Sequence, residues 1–137
     1  MKQMKRIIGL VCACTMMLST TAFAANHDFE FKFDNLDHQQ TASYAKSDND
    51  QNWYISFDTQ NGAVRNNMSS ANIFGCKMHR TKNDGVDVYH TFSNYVSRYP
   101  IKYSARVAKD DQMYMVAKKD SASTSVASLN ISGRFAP

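Results

Sequence analysis

The sequence predicts an all-β protein: a single small antiparallel β-sandwich or barrel of about eight short strands, preceded by a signal-peptide helix. Three observations carry that reading. Apolar and polar residues alternate in short runs, as in Phe29-Glu30-Phe31-Lys32-Phe33 and Trp53-Tyr54-Ile55-Ser56-Phe57. Successive side chains on a strand point to opposite faces, so each run has one face for a core and one for water. Turn-forming clusters separate the runs at intervals of about 8–12 residues. No stretch beyond residue 24 shows an apolar stripe with the helical period of 3.6 residues.

The elements follow in order. Phe29, Phe31 and Phe33 mark the first strand. Asp34 to Gln40 is mostly polar and reads as a loop, and Thr41 to Lys46 as a short strand. Ser47-Asp48-Asn49-Asp50-Gln51 is a turn-forming run. Trp53, Ile55 and Phe57 define the next inward face. Asn61-Gly62 is a hairpin signal, because a type I′ turn needs positive φ at both central residues; Ala63 to Asn66 would begin the return strand. Ile73 to Arg80 is a further strand, ending at the turn Asn83-Asp84-Gly85. Val86, Val88 and His90 alternate, and the segment runs on through Phe92 to Val96. Pro100 breaks the pattern. Ile101, Tyr103, Ala105 and Val107 form an alternating strand that turns at Lys109-Asp110-Asp111 and returns as Met113 to Lys118. A Ser/Ala/Thr-rich loop spans Asp120 to Ser125, and Val126 to Ile131 is the last strand. Phe31, Trp53, Ile55, Phe74, Ile101, Tyr103 and Val107 are the expected core.

Ahead of the β-rich region, Lys2, Lys5 and Arg6 precede an apolar run from Ile7 to Leu18, and Ala22-Phe23-Ala24 ends the segment. A basic start, a short apolar stretch and an A-x-A site predict a secretory signal peptide over 1–24, cut between Ala24 and Ala25. The run is shorter than the roughly 20 residues a membrane-spanning helix needs. No later apolar run follows, so no transmembrane segment is expected after cleavage. Cys12 and Cys14 lie inside the run, upstream of the A-x-A site, which argues against a lipid anchor. The expected mature unit is one secreted, extracellular domain, 25–137.

Cleavage changes the composition. Three of the 16 basic residues lie in the leader and all 12 acidic ones lie beyond it, so the net charge falls from +4 to +1. The basicity that would suggest nucleic acid belongs mostly to the leader, and no nucleic-acid partner is expected. Acids dominate residues 25–62 and bases dominate the remainder; in a small β domain such halves are expected to interleave. Only Cys76 remains of three cysteines, which excludes an intramolecular disulfide in the mature chain.

Motifs with chemical content are few. Cys76-Lys77-Met78-His79 has the Cys-x-x-His spacing of half a zinc site. On a strand, however, positions three apart face opposite ways, and Cys76 shares its face with Phe74 and Met78. A buried, inert thiol is expected, with His79 pointing away. Asp48, Asp50 and Asn52 resemble the start of a calcium loop, but Trp53 and Thr59 stand where such a loop requires Gly and Glu. A polar turn is the simpler reading. His27, His38, His79 and His90 match no metalloprotease pattern, and no nucleophile elbow or phosphate loop is present. No catalytic residue, metal or cofactor is expected. Of the seven tyrosines, Tyr54 is the candidate ligand contact, because it lies opposite the Trp53/Ile55/Phe57 face. Tyrosine joins apolar area to a polar tip, though it is also an ordinary strand residue.

The Phe29–Phe33 alternation, Asn52-Trp53-Tyr54-Ile55, a hairpin over Pro100–Ala117 and the ending Ser132-Gly133-Arg134-Phe135-Ala136-Pro137 resemble a group of small secreted β-rich proteins of Gram-positive bacteria with no assigned function. That group is broadly similar to lactococcin-type bacteriocins. The resemblance implies secretion and an all-β fold and transfers no site residue. The expected function is a non-catalytic secreted binding or interaction protein, bacteriocin-like or envelope-associated. Its partner would be a cell-wall component, a glycan or a protein. The alternative is a structural or adhesive component that self-associates through Cys76 or an open sheet edge.

Overall fold

Phe29, Phe31 and Phe33 are buried, whereas Asp28, Glu30 and Lys32 between them face solvent. The same period of two recurs through a computed structural model that describes residues 25–58, 66–81 and 84–137. The signal peptide and its cleavage site at Ala24, the Asn61-Gly62 turn, residues 63–65 and Asn83 lie outside the described residues. Among the described residues there are ten strands and no helix. In chain order they are β1 (His27–Phe33), β2 (His38–Gln40), β3 (Tyr44–Ala45), β4 (Asn52–Phe57), β5 (Phe74–Arg80), β6 (Asp84–Gly85), β7 (His90–Phe92), β8 (Tyr99–Lys102), β9 (Gln112–Lys119) and β10 (Leu129–Ala136).

The strands form two antiparallel sheets packed as a sandwich. The first has the order β1-β10-β4-β8. The second has the order β2-β9-β5-β6, with β3 also paired to β9 and β7 to β5. Alternate residues of both sheets meet in one core that includes Trp53, Ile55, Phe74, Met78, Met113, Met115, Leu129 and Ile131. All seven expected core residues are buried. Phenylalanine rings tie the layers: Phe74 of the second sheet stacks on Phe29 of the first at 6.1 Å and meets Phe57 edge-on at 5.6 Å.

The C-terminal strand occupies the middle of the first sheet. Gly133 pairs with Phe29 on one side and Phe57 on the other. A Cβ there would run into the Ser56 carbonyl oxygen and stand 2.9 Å from the Phe29 ring, so the close approach of three backbones requires glycine. Beyond the end of β4, side-chain amides pair with β10. Asn66 Oδ1 accepts from Ser132 N at 2.7 Å, and Asn67 Oδ1 from Asn130 N at 2.8 Å. These asparagines satisfy backbone groups that a neighbouring strand would otherwise serve.

Several elements depart from the expectations. His38–Gln40, read as loop, is a strand on the edge of the second sheet; all three residues are exposed, so they carry no apolar alternation. β4 and β5 lie in different sheets, so these two consecutive strands are not hydrogen-bonded neighbours. Asp84-Gly85 is part of a short return strand on β5. Val86 is buried and Val88 is 60% exposed, because Asp87 turns inward and breaks the alternation. Pro100 sits inside β8, an edge strand, where its missing N–H is tolerated. β8 and β9 also belong to different sheets, so the expected Pro100–Ala117 hairpin does not form. The Lys109-Asp110-Asp111 turn is present, with Asp110 at φ 70°. The last strand starts at Leu129, after a loop held by Lys119, whose buried Nζ donates to the carbonyls of Ser125 and Ala127 at 2.7 Å each.

Candidate functional site

Two places gather polar groups beyond the needs of the sheets. The first is internal and centres on Asp87, which is 7% exposed. Its Oδ2 accepts from the Trp53 indole N–H at 2.8 Å. Its Oδ1 accepts from Val88 N at 2.8 Å and lies 2.9 Å from His90 Nε2. Trp53 belongs to the first sheet and His90 to the second, so one carboxylate fastens the two layers together. Cys76 is the strand partner of His90, which brings a thiol, an imidazole and a carboxylate into one neighbourhood. The thiol is completely buried between Phe74 and Met78. Burial, and then the charge of Asp87, push its pKa well up. The thiolate is the reactive form, so this environment suppresses the nucleophile. Tyr103 is also near: its buried hydroxyl has no partner among the described residues, and burial followed by the Asp87 charge raises its pKa.

The second place is the outer face of the second sheet. Strand parity and register put His38 and Gln40 of β2, Tyr114, Val116 and Lys118 of β9, and Gly75, Lys77 and His79 of β5 on that face. Tyr89, just before β7, lies against it. Lys77 Nζ is 4.6 Å from the Tyr89 ring centroid and Lys118 Nζ is 4.5 Å from it, both within cation–π range. The His38 ring is 5.9 Å from the same ring. Gly75 leaves the strip between them bare, and the Lys118 stem runs over it, with Cγ 3.5 Å from where a Cβ would stand. Among the described residues, neither lysine has a carboxylate within ion-pair distance. His79 stacks on Tyr114 at 5.5 Å. Both its ring nitrogens are buried without a hydrogen-bond partner among the described residues. Burial, and then the Lys77 charge, lower its pKa, so it resists taking a proton.

The candidate named from sequence, Tyr54, is half-buried on the outer face of the first sheet. Its hydroxyl donates to Asp50 Oδ2 at 2.9 Å, and Arg98 covers its ring at 5.4 Å. Asp48 and Asp50 are engaged in the turn itself: Asp48 accepts from Asp50 N and from buried Lys46 Nζ, and Asp50 Oδ1 from Asn52 N. A hollow of about 480 Å³ lies beside this turn, walled by Asn49, Gln51 and residues Lys102 to Arg106. Asn49 and Gln51 are occupied there in holding Lys109 N and Val107 N. Among the described residues, no group of three His, Cys, Asp or Glu side chains is placed to hold a metal ion, and no helix is long and apolar enough to cross a membrane.

Comparison with protein-family models, with curated proteins and with solved structures finds no match. The class the fold defines is structural: an antiparallel β-sandwich with an internal acid latch and a basic, aromatic outer face. Sequence reasoning missed both features. Asp87 reads locally as an outward strand position between two valines. Lys77, Tyr89 and Lys118 are distant in sequence and meet only through the β5–β9 register and the path of the segment before β7.

Proposed function

We propose that this chain is a non-catalytic secreted binding protein of a bacterium, bacteriocin-like or associated with a cell envelope, and that it engages its partner through the outer face of the second sheet. The observation that carries this reading is the pair of lysines converging on Tyr89 without a carboxylate partner among the described residues. Charge left uncompensated on a rigid sheet is available to a ligand. The raised pKa of the buried Cys76 thiol supports binding over nucleophilic chemistry. The test has two parts. N-terminal sequencing of protein recovered from culture medium should give Ala25-Asn26-His27; an intact Met1 would count against export. The exported protein should then be retained by isolated bacterial envelopes, and Lys77→Gln/Lys118→Gln should not.

Self-association is a second reading, favoured by one observation. Among the described residues β1 pairs only with β10, so none of them forms a second strand along the other flank of this seven-residue strand. Of that flank, Gln39 Nε2 serves the Lys32 carbonyl at 2.6 Å. An open edge is a template for another strand. Complete burial of Cys76 argues against a route through an interchain disulfide. Sedimentation of the exported protein as a monomer at high concentration would remove this reading.

A further inference from the structure

We infer that the outer face of the second sheet takes a linear phosphodiester polymer that carries no bases, its charges meeting Lys77 and Lys118, with His38 at the end of the same row. This rests on the binding role proposed above and adds the chemistry of the ligand.

The row runs across the strands. Lys118 and His38 are direct partners of β9 and β2, and Lys77 is diagonal to Lys118 across β5 and β9. Directly opposed residues are about 5 Å apart and diagonal ones about 7–8 Å. From these positions the Lys77 and Lys118 ammonium groups reach the same Tyr89 ring, 4.6 and 4.5 Å from its centroid, and so stand close enough together to meet neighbouring charges of a polymer with one charge per short repeat. No strand position on this face carries a carboxylate among the described residues. Asp120 borders the patch just past β9, with Oδ1 accepting from Ala122 N and Oδ2 directed at the Gly75 strip.

Tyr89 explains how the charge stays available. An acidic residue between the lysines would order them but neutralise them. A tyrosine ring orders both ammonium groups by cation–π attraction and leaves their full charge to an incoming anion. Two side chains held in place in advance lose less entropy on binding. Lysine acts as a point charge and does not impose the planar two-point geometry of arginine, and no arginine stands among the outer-face positions named above. The face therefore reads charge along a flexible chain.

The aromatic rings argue against single-stranded nucleic acid. Such binders offer open ring faces on which bases stack. Here Tyr89 is occupied by two ammonium groups and Tyr114 by His79.

The test titrates the exported protein with poly(glycerol phosphate) at several salt concentrations. Binding should weaken with salt, with a log–log slope of about −1.4 for two phosphates neutralised by two lysines. Lys77→Gln or Lys118→Gln should each weaken binding about tenfold and reduce the slope by about 0.7. The double variant should show no binding, and Lys77→Arg/Lys118→Arg should restore it. Stronger binding to an oligothymidylate of equal charge would overturn the base-free assignment. Equal binding to polyglutamate would overturn the phosphodiester assignment. Retention by envelopes that depends on both lysines, without polymer binding, would overturn the polymer while leaving the binding role standing. Failure of both would remove both.

Discussion

The two outer faces of the sandwich share one core and treat their polar groups in opposite ways. On the first sheet, the Tyr54 hydroxyl is held by Asp50, Arg98 covers the Tyr54 ring, and Arg98 N donates to Ser56 Oγ at 2.8 Å. At the rim, Lys32 lies 3.5 Å from Asp34. On the second sheet, two lysines meet over a neutral ring, and a half-buried histidine has both ring nitrogens covered and unpartnered among the described residues. Groups that satisfy one another hold a fold together. Groups ordered by packing but left uncompensated keep their binding energy for something outside the chain.

The strongest test of this contrast is to damage what the faces share. Trp53→Ala empties the largest buried side chain and strips Asp87 of a hydrogen-bond donor, so it should cost roughly 3–5 kcal/mol in a denaturant titration. Retention by envelopes should then fail at lower denaturant, together with the fold. Gly133→Ala forces a Cβ between three strands of the first sheet and should cost about 3 kcal/mol. In the surviving folded fraction the second face should still bind. A loss of binding from that fraction would show that the faces are coupled through the core.

Cys76→Ser places a hydroxyl in the apolar setting beneath the second face and should cost about 1–3 kcal/mol without changing affinity. The native thiol should react slowly with a water-soluble reagent and fully after unfolding. Fast native labelling would reopen the thiol, His90 and Asp87 as a reactive group.

Tyr54→Phe sharpens the contrast from the first face, where a cost of up to about 1 kcal/mol is expected at neutral pH. Burial opposes ionisation of Asp50, but hydrogen bonds from Tyr54 and Asn52 and the Lys46 charge outweigh it and hold its pKa below the ordinary 3.8. A carboxyl depressed in the folded state adds stability above its unfolded pKa and loses it as pH falls through the folded one. The difference between Tyr54→Phe and the parent should thus hold near pH 7 and shrink below 3.8. Lys77→Gln and Lys118→Gln should have the smallest effect on stability, within about 0.5 kcal/mol each, because neither lysine has an ion-pair partner to lose among the described residues. A large loss there would mean that the cation–π contacts are structural and would erase the difference between the faces.

The sequence by itself determined which side chains face inward on β1, β4 and β5. Phe29, Phe31 and Phe33, then Trp53, Ile55 and Phe57, and Cys76 between Phe74 and Met78 follow from the period of two, which is a local property of extended backbone. The tight turn at Asp110 was legible for the same reason. Only the tertiary structure decided which strands are neighbours. Nothing local in Leu129–Ala136 says that it lies between β1 and β4, or that consecutive strands β4 and β5 part into different layers. Pairing depends on how the whole apolar surface closes, and that involves residues far apart in sequence. Asp87 turns inward because Trp53 and His90 wait there to satisfy it. Lys77 and Lys118 converge on Tyr89 because antiparallel register brings β9 beside β5 and the chain before β7 lays a ring across both. Alternation marks these residues as outward-facing, whereas what they face is set by register, which the spacing of residues along one strand does not encode.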